Sequence, residues 1–402
     1  MVVVVTGSPG SVVDVRRGNR AAVLRALYLQ GPKSRQRLVG MTGLSVGTVS
    51  SLVTGLIGEG FVREAGVLGS DGGRPRTLVR IDPEYGYVVG AVVEETRLRV
   101  ELFDAALGGV ARASWPLALG VQGAEMVAAR VLEGVEELLA EAGVARERVL
   151  GVGLGVPGVV EQVPEPVLHA QAYGLPRVPL GALLRAGTDL PVFLENGAKT
   201  LGQAEQWFGA GRDAEDLVVT LLGTGVGASI ISHGTLYRGA SSSAGEWGHT
   251  KVEPGGRMCR CGVRGCLEAY VGSGALLERY REVTGRDLSG GDEEEAVALL
   301  FADPAAAPVL DEAVRHLSVA LSNLINLLNP GRVVLGGWLG QLLGRSRLTE
   351  IRTATGALTL THPYAGTEIR VGEMGGDAVS VGAALLVVNH LIGPTTPAGA
   401  EP

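Results

Sequence analysis

The sequence is poor in lysine, cysteine, aromatic residues and long apolar runs. Lysine occurs only at Lys33, Lys199 and Lys251, against 32 arginines, so almost all positive charge is guanidinium. Three cysteines are too few, and too odd a number, for a disulfide framework. Aromatic residues make up 4%, so a core has to be built from aliphatic side chains. No segment reaches the roughly 18 unbroken apolar residues of a membrane span, and the longest uncharged stretch near the middle, 217–232, is laced with Gly, Ser and Thr. Met1-Val-Val-Val-Val-Thr6 lacks the basic n-region of a secretory signal. Repeats with a period of 20–50 residues and low-complexity tracts are also missing. The expectation is a cytoplasmic protein with no membrane partner.

What is present is enough for a large core. The chain has 402 residues, 46% apolar and 19% charged, which excludes global disorder and suggests two or three domains. The net charge of -7 hides an asymmetry. Residues 1–80 carry 11 Arg/Lys and 4 Asp/Glu, and the remaining 322 carry 24 and 38. A basic head on an acidic body implies that only the head meets a polyanion.

The head, 1–82, reads as a winged helix-turn-helix. Residues 19–30 place apolar side chains at 23, 24, 27 and 28, a helical stripe. Ser34 is a suitable N-cap for a second helix, Gly43-Leu44 a turn, and Ser45 the N-cap of a third helix with Val49, Leu52, Val53, Leu56 and Ile57 on one face. Two helices joined by a short glycine turn make the helix-turn-helix pattern. Its second helix would offer Ser45, Val46, Gly47, Thr48, Ser50 and Ser51 to a major groove, reading through hydroxyls and the thymine methyl. Between strands expected at 61–64 and 78–81, the tip 70–76 carries Arg74 and Arg76, a minor-groove wing. Phosphate anchoring would fall to Arg35, Arg37, Arg74 and Arg76. Double-stranded DNA is therefore the expected partner; a basic bundle used for protein contacts is the alternative.

From residue 83 to 402 the pattern alternates. Strands are expected at 88–93, 97–103, 150–156, 192–194, 217–222, 227–232 and 332–335, with helices at 124–142, from 195 to about 207, 311–328 and 378–391. Strands alternating with helices predict an α/β body.

All three cysteines sit within eight positions, as Cys259-x-Cys261-x4-Cys266, with His249 ten residues upstream of the first. Three thiolates and one imidazole form a closed tetrahedral set, suited to one structural zinc ion per chain and not to catalysis. Gly255, Gly256, Gly262 and Gly265 let the short loop turn around one ion.

Glu246-x-x-His249 followed by Cys259-x-Cys261-x4-Cys266-Leu-Glu268 resembles the signature of the ROK family, which groups repressors, open reading frames and sugar kinases. Gly155-Val-Pro157-Gly158, Glu195-Asn196, Leu222-Gly-Thr-Gly-Val-Gly227 and the stretch from Asn329-Pro330 to Gly336-Gly337 stand where that family has its other motifs. The head resembles that of the repressor branch, of the xylose-repressor type. The resemblance implies an actin/hexokinase-like (ribonuclease H-like) body of two α/β lobes with the zinc loop at 246–268. It also implies a sugar held in the cleft by Asn196, Glu246, His249 and Glu268.

The sequence departs from the kinase branch at two places. Where a kinase of the family has an Asp-x-Gly-Gly-Thr phosphate loop, this chain has Val92-Val93-Glu94-Glu95-Thr96. Where a kinase has its general base after Glu-Asn, this chain has Gly197, with Lys199 two residues on. Losing a general base typically costs about 10²–10⁴-fold in rate, so no catalytic residue is expected. The missing carboxylate also suggests a pentose or a modified sugar. The reading is a regulator, a repressor of carbohydrate metabolism, that binds an operator as a homodimer or homotetramer and senses a small sugar. A sugar kinase with an added head, and a regulator answering to a protein partner, are the alternatives.

Overall fold

The computed structural model describes residues 12–68, 76–117, 119, 123–162, 165–288 and 291–393. The head contains α1 (Val12–Gln30), β1 (Lys33–Ser34), α2 (Arg35–Thr42), α3 (Val46–Gly58), β2 (Val62–Leu68) and β3 (Arg76–Ile81). Ser34 and Ser45 cap α2 and α3, accepting from the Arg37 and Thr48 amides. Gly43, at φ 69°, ends α2 in the left-handed conformation that glycine enters without strain. Leu24, Leu38, Val49, Val53, Leu56 and Phe61 close the core between the three helices and the sheet. α1 starts before residue 19, and β1 pairs with β3 to make a three-stranded wing sheet. A two-residue strand is too short to leave a periodic signal.

The first lobe comprises β4 (Tyr87–Val93), β5 (Arg97–Asp104), β6 (Gly109–Pro116), α4 (Ala124–Ala142), β7 (Val149–Val156), β8 (Val159–Glu161), β9 (Val167–Ala170), β10 (Leu175–Val178), α5 (Leu180–Gly187) and β11 (Val192–Asn196), followed by α6 (Gly197–Phe208). The second has β12 (Leu217–Leu222), β13 (Val226–Ser232), β14 (Thr235–Tyr237), α7 (Glu268–Val271), α8 (Ser273–Thr284), α9 (Glu293–Ala302), α10 (Ala307–Leu328), β15 (Arg332–Gly336), α11 (Trp338–Leu358), α12 (Thr361–Ala365) and β16 (Glu368–Val371), followed by α13 (Ala378–Ile392). The two main sheets run β6-β5-β4-β7-β11 and β14-β13-β12-β15-β16. In each, an antiparallel meander is extended by two parallel strands. This doubled order is the actin/hexokinase-like architecture that the resemblance implies. The elements β6, β8, β9, β10, α5, β14, α7, α8, α9, α11, α12 and β16 are not among those expected from the sequence.

Two helices cross between the lobes. α6 leaves the first sheet and packs on β12 and β13 of the second; α13 leaves the second sheet and packs on β4 and β7 of the first. The approach is close enough to require glycine: a Cβ on Gly153 would lie 1.8 Å from the Ala383 carbonyl oxygen, and one on Gly382 1.9 Å from that of Thr200. Residues 375–392 are long and apolar enough to cross a membrane, but half of that stretch is buried inside the protein as this crossing helix.

Candidate functional site

The head, the metal loop and the interlobe cleft each gather expected residues. On α3, Val46, Gly47, Ser50 and Ser51 are exposed along one face, as is the capping Ser45. Thr48 is half-buried and its Oγ1 lies 2.8 Å from Ser45 Oγ, so it is engaged in the cap. Arg37 and Arg76 are exposed and Arg35 is half-buried. Arg74 lies outside the described residues.

His249, Cys259, Cys261 and Cys266 come together with all four donor atoms within 4.8 Å of one another, a cluster that could hold a metal ion. Cys261 Sγ is 3.7 Å from Cys266 Sγ, and Cys259 Sγ is 3.8 Å from His249 Nδ1. A tetrahedron with metal–sulfur bonds of about 2.3 Å has edges of about 3.8 Å, so the donors already stand near the corners that zinc requires. The turn is made by Gly262, whose amide donates to Cys259 O, and by Gly265. Both have positive φ, and a Cβ on Gly265 would sit 2.0 Å from Glu253 O. Lys251 Nζ donates to Cys266 Sγ at 3.0 Å, a cation placed to favour the thiolate. Burial pushes the Cys259 thiol up to about 12. Metal binding would therefore release a proton there.

Between the lobes lies a cavity of about 650 Å³ lined by Asn196, Glu246, His249 and Glu268, the four residues carried over as sugar contacts. They are not equally free. Asn196 caps α6: its Oδ1 accepts from the Ala198 and Lys199 amides, and its Nδ2 donates to Gly158 O at 2.7 Å. The Glu268 carboxylate accepts from Arg260 Nε at 2.8 Å and from the Val226 amide at 3.0 Å. The Glu246 carboxylate has no hydrogen-bond partner among the described residues; burial raises it above the usual range, against the pull of His249 and Lys199. It is the open acceptor of the set. Lys199 is 1% exposed, donates to the Ser242 carbonyl, and is lowered by burial, opposed by Glu195 and Glu246.

The side of the cavity formed by residues 92–97 is filled with charge. Glu94 accepts from Arg97 and Arg99. Glu95 pairs with Arg260 at 3.0 Å. Val92 is buried in β4, paired with Arg99. Gly223-Thr-Gly225 forms the β12–β13 turn, with Gly223 N donating to Gly225 O at 3.1 Å. A Cβ on Gly197 would meet nothing closer than 3.8 Å, so close packing is not what keeps this position glycine. Arg260 was not singled out from the sequence, although its place between Cys259 and Cys261 in the tightest part of the loop is a visible signal. Tyr173, whose ring lies 5.0 Å beneath the Arg260 guanidinium, left none.

The ROK family profile matches residues 98–390. A putative xylose repressor from Caldicellulosiruptor sp. is 26% identical over 402 residues, covering 95% of this chain and 98% of that protein. A glucokinase from Halalkalibacterium halodurans is 29% identical over 323 residues, covering 75% and 94%. Among solved structures, a ROK family transcriptional regulator described as a homolog of the E. coli MLC protein superposes with a TM-score of 0.77 at 23% identity, covering 93% of this chain and 96% of that one. It shares the architecture through the head, whereas the glucokinase match stops short of the full length. On the family match, the strand order and the cleft motifs together, the chain belongs to the ROK family.

Proposed function

We propose that this protein is a sugar-responsive transcriptional regulator, a repressor of carbohydrate genes acting in the cytoplasm. Residues 1–82 would bind an operator, and 83–402 would form a non-catalytic sensing body with a structural zinc. The relatives matched along nearly the whole chain carry the name xylose repressor, which supports this reading.

The observation that carries it is the seating of the head. α6 and α13 both begin at the cavity, where Asn196, Gly197, Ala198 and Val379 line it. Both end beneath the head. Trp207, Leu385, Val388 and Ile392 are buried in one apolar cluster with Val23, Leu24, Leu27 and Tyr28 of α1. Tyr28 Oη donates to Ala105 O at 2.6 Å, Arg20 donates to Leu391 O, and Arg25 stacks 4.9 Å over Trp207. The head is thus held by the ends of the two helices that cross between the lobes. A ligand that favours one lobe arrangement through its differential contacts would move the head. Two heads in a dimer must match half-sites about 34–36 Å apart, so a small rotation changes the fit.

The cleft chemistry supports a non-catalytic body. A phosphate would meet the Glu94 and Glu95 carboxylates rather than bare amides, and no carboxylate stands at Gly197.

The test is an operator titration on the full chain, with and without each sugar of a panel first screened by thermal shift. A coupling of about 1–3 kcal/mol corresponds to a 5–150-fold change in operator affinity. Glu268→Ala should abolish the response to sugar. Arg37→Ala and Arg76→Ala should each weaken DNA binding at all sequences and lower the salt slope by about 1. A sugar that binds tightly while the two titration curves overlay would sink the sensing role.

A further inference from the structure

Glu94 and Glu95 enter the functional reading only as obstacles to phosphate. Their contacts give them a positive role. Three ion pairs on that side of the cavity cross between the lobes. Glu95 Oε2, on the first lobe, takes Arg260 Nη1 of the zinc loop at 3.0 Å. Arg97 Nη2, on β5, reaches Glu294 Oε1 at the start of α9 at 2.6 Å, and its Nη1 lies 3.6 Å from Asp292, the N-cap of that helix. Glu94 holds the set in place from below, accepting from Arg97 and from Arg99.

Arg260 is the centre of this arrangement. Its remaining donors face the second lobe: Nε to Glu268 Oε1 at 2.8 Å, and Nη2 to Glu268 Oε2 and to the Thr224 carbonyl, both at 3.3 Å. Its flat face covers Tyr173 of the first lobe, whose hydroxyl burial pushes up to about 12. One guanidinium therefore joins a carboxylate of the candidate sugar set to two first-lobe groups, and its residue lies between Cys259 and Cys261 of the candidate metal set. Isolated exposed ion pairs contribute little, but charges tied into a network with bidentate arginine geometry contribute more.

We propose that the loop which accepts phosphate in a kinase has become an electrostatic clasp between the lobes, with Arg260 as its positioning residue. Glu95–Arg260 and Arg97–Glu294 tie the two lobes together across the cleft. Because Arg260 grips Glu268, any ligand hydroxyl that takes over Glu268 loosens the clasp. The clasp stands on geometry alone; only its consequence for signalling rests on the sensor reading above.

The test uses full-length, zinc-loaded protein without sugar or DNA, and follows amide hydrogen exchange in residues 92–97 and 223–226 on the two faces of the cleft. Glu95→Gln and Arg260→Gln should each speed exchange in both segments about 5–10-fold at low salt. The double variant should exchange no faster than the quicker single one, because both remove the same contact. Raising the ionic strength to 1 M should bring wild type toward the variants, since the pairs are partly exposed. Additive effects would mean that the two residues act separately, and would overturn the proposal. So would unchanged exchange in Glu95→Gln, or a response confined to 223–226. Arg260→Lys keeps the charge but loses the fork to Glu268 and Glu95, and should recover less than half of the protection. A sugar panel without a hit leaves these measurements intact, and unchanged exchange leaves the sensor reading intact.

Discussion

The two lobes use one strand order to opposite ends at the cleft. β4–β5 and β12–β13 are topologically equivalent hairpins facing each other across the cavity. In the second lobe the turn Gly223-Thr-Gly225 lines the cavity without a charged side chain, and its carbonyls accept from Ser273 N, Arg260 and Gly223 N. In the first, the turn carries Glu94 and Glu95, and both carboxylates are paired with arginine. The two hairpins share one geometry, and charged side chains fill only the first-lobe turn. Topology positions a site; the residues at its turns decide what it does.

The comparison can be broken most severely from the second lobe. Cys261→Ser should abolish stoichiometric zinc in metal-replete, reduced protein, as read by elemental analysis. Apparent binding energies of structural zinc sites are about 10–16 kcal/mol, so the loop 246–268 should lose its order and sugar binding should fall at least 100-fold. One zinc retained per chain in the variant would remove His249, Cys259, Cys261 and Cys266 as the ligand set.

Chemistry comes next. The wild-type chain should show no sugar-dependent ATP turnover, and Gly197→Asp alone should not create it, although a Cβ at 197 meets nothing closer than 3.8 Å. The carboxylates at 94 and 95 still face any phosphate. Adding Glu94→Gly and Glu95→Gly should lower the dissociation constant for ATP, measured by calorimetry, at least tenfold. Turnover by wild type at ordinary enzyme rates, lost on a cleft substitution, would overturn the non-catalytic reading.

The smallest effect concerns the charge in the first lobe itself. Burial, then Asp377, raises the Glu101 carboxyl on β5 to about 7, with one oxygen buried and unpartnered among the described residues. A folded-state value above the unfolded one means the native protein holds this proton more tightly. Stability is therefore lost as pH rises from about 4.5 to 7. Glu101→Gln should raise stability at pH 8 by about 1 kcal/mol after allowance for solvent screening, and change nothing at pH 4. Equal denaturation midpoints of the two proteins at pH 8 would refute it.

Much of this molecule is legible in its sequence. The caps at Ser34 and Ser45, the glycine turn between α2 and α3, and the helix 124–142 are local events, governed by spacing of three or four residues. The metal set was legible because three cysteines and a histidine fall within 18 positions of one loop, too short to place them apart. The losses at Glu94, Glu95 and Gly197 were equally visible, since each is a substitution within a motif.

What the sequence did not reveal depends on residues far apart in the chain. Arg97 meets Glu294 across 197 positions, and Tyr28 meets Ala105 across 77. No periodicity encodes such pairs, because they arise only once two sheets and two crossing helices have packed. The same is true of how free each cleft residue is. The sequence by itself determined which residue types each motif and loop offers as ligand or charge, because residue chemistry is local. Tertiary structure alone decided that Glu268 is already gripped by Arg260 while Glu246 is open, and that the head rests on the far ends of α6 and α13. Those outcomes turn on which charges burial leaves paired, and pairing across a cleft is a property of the packed lobes.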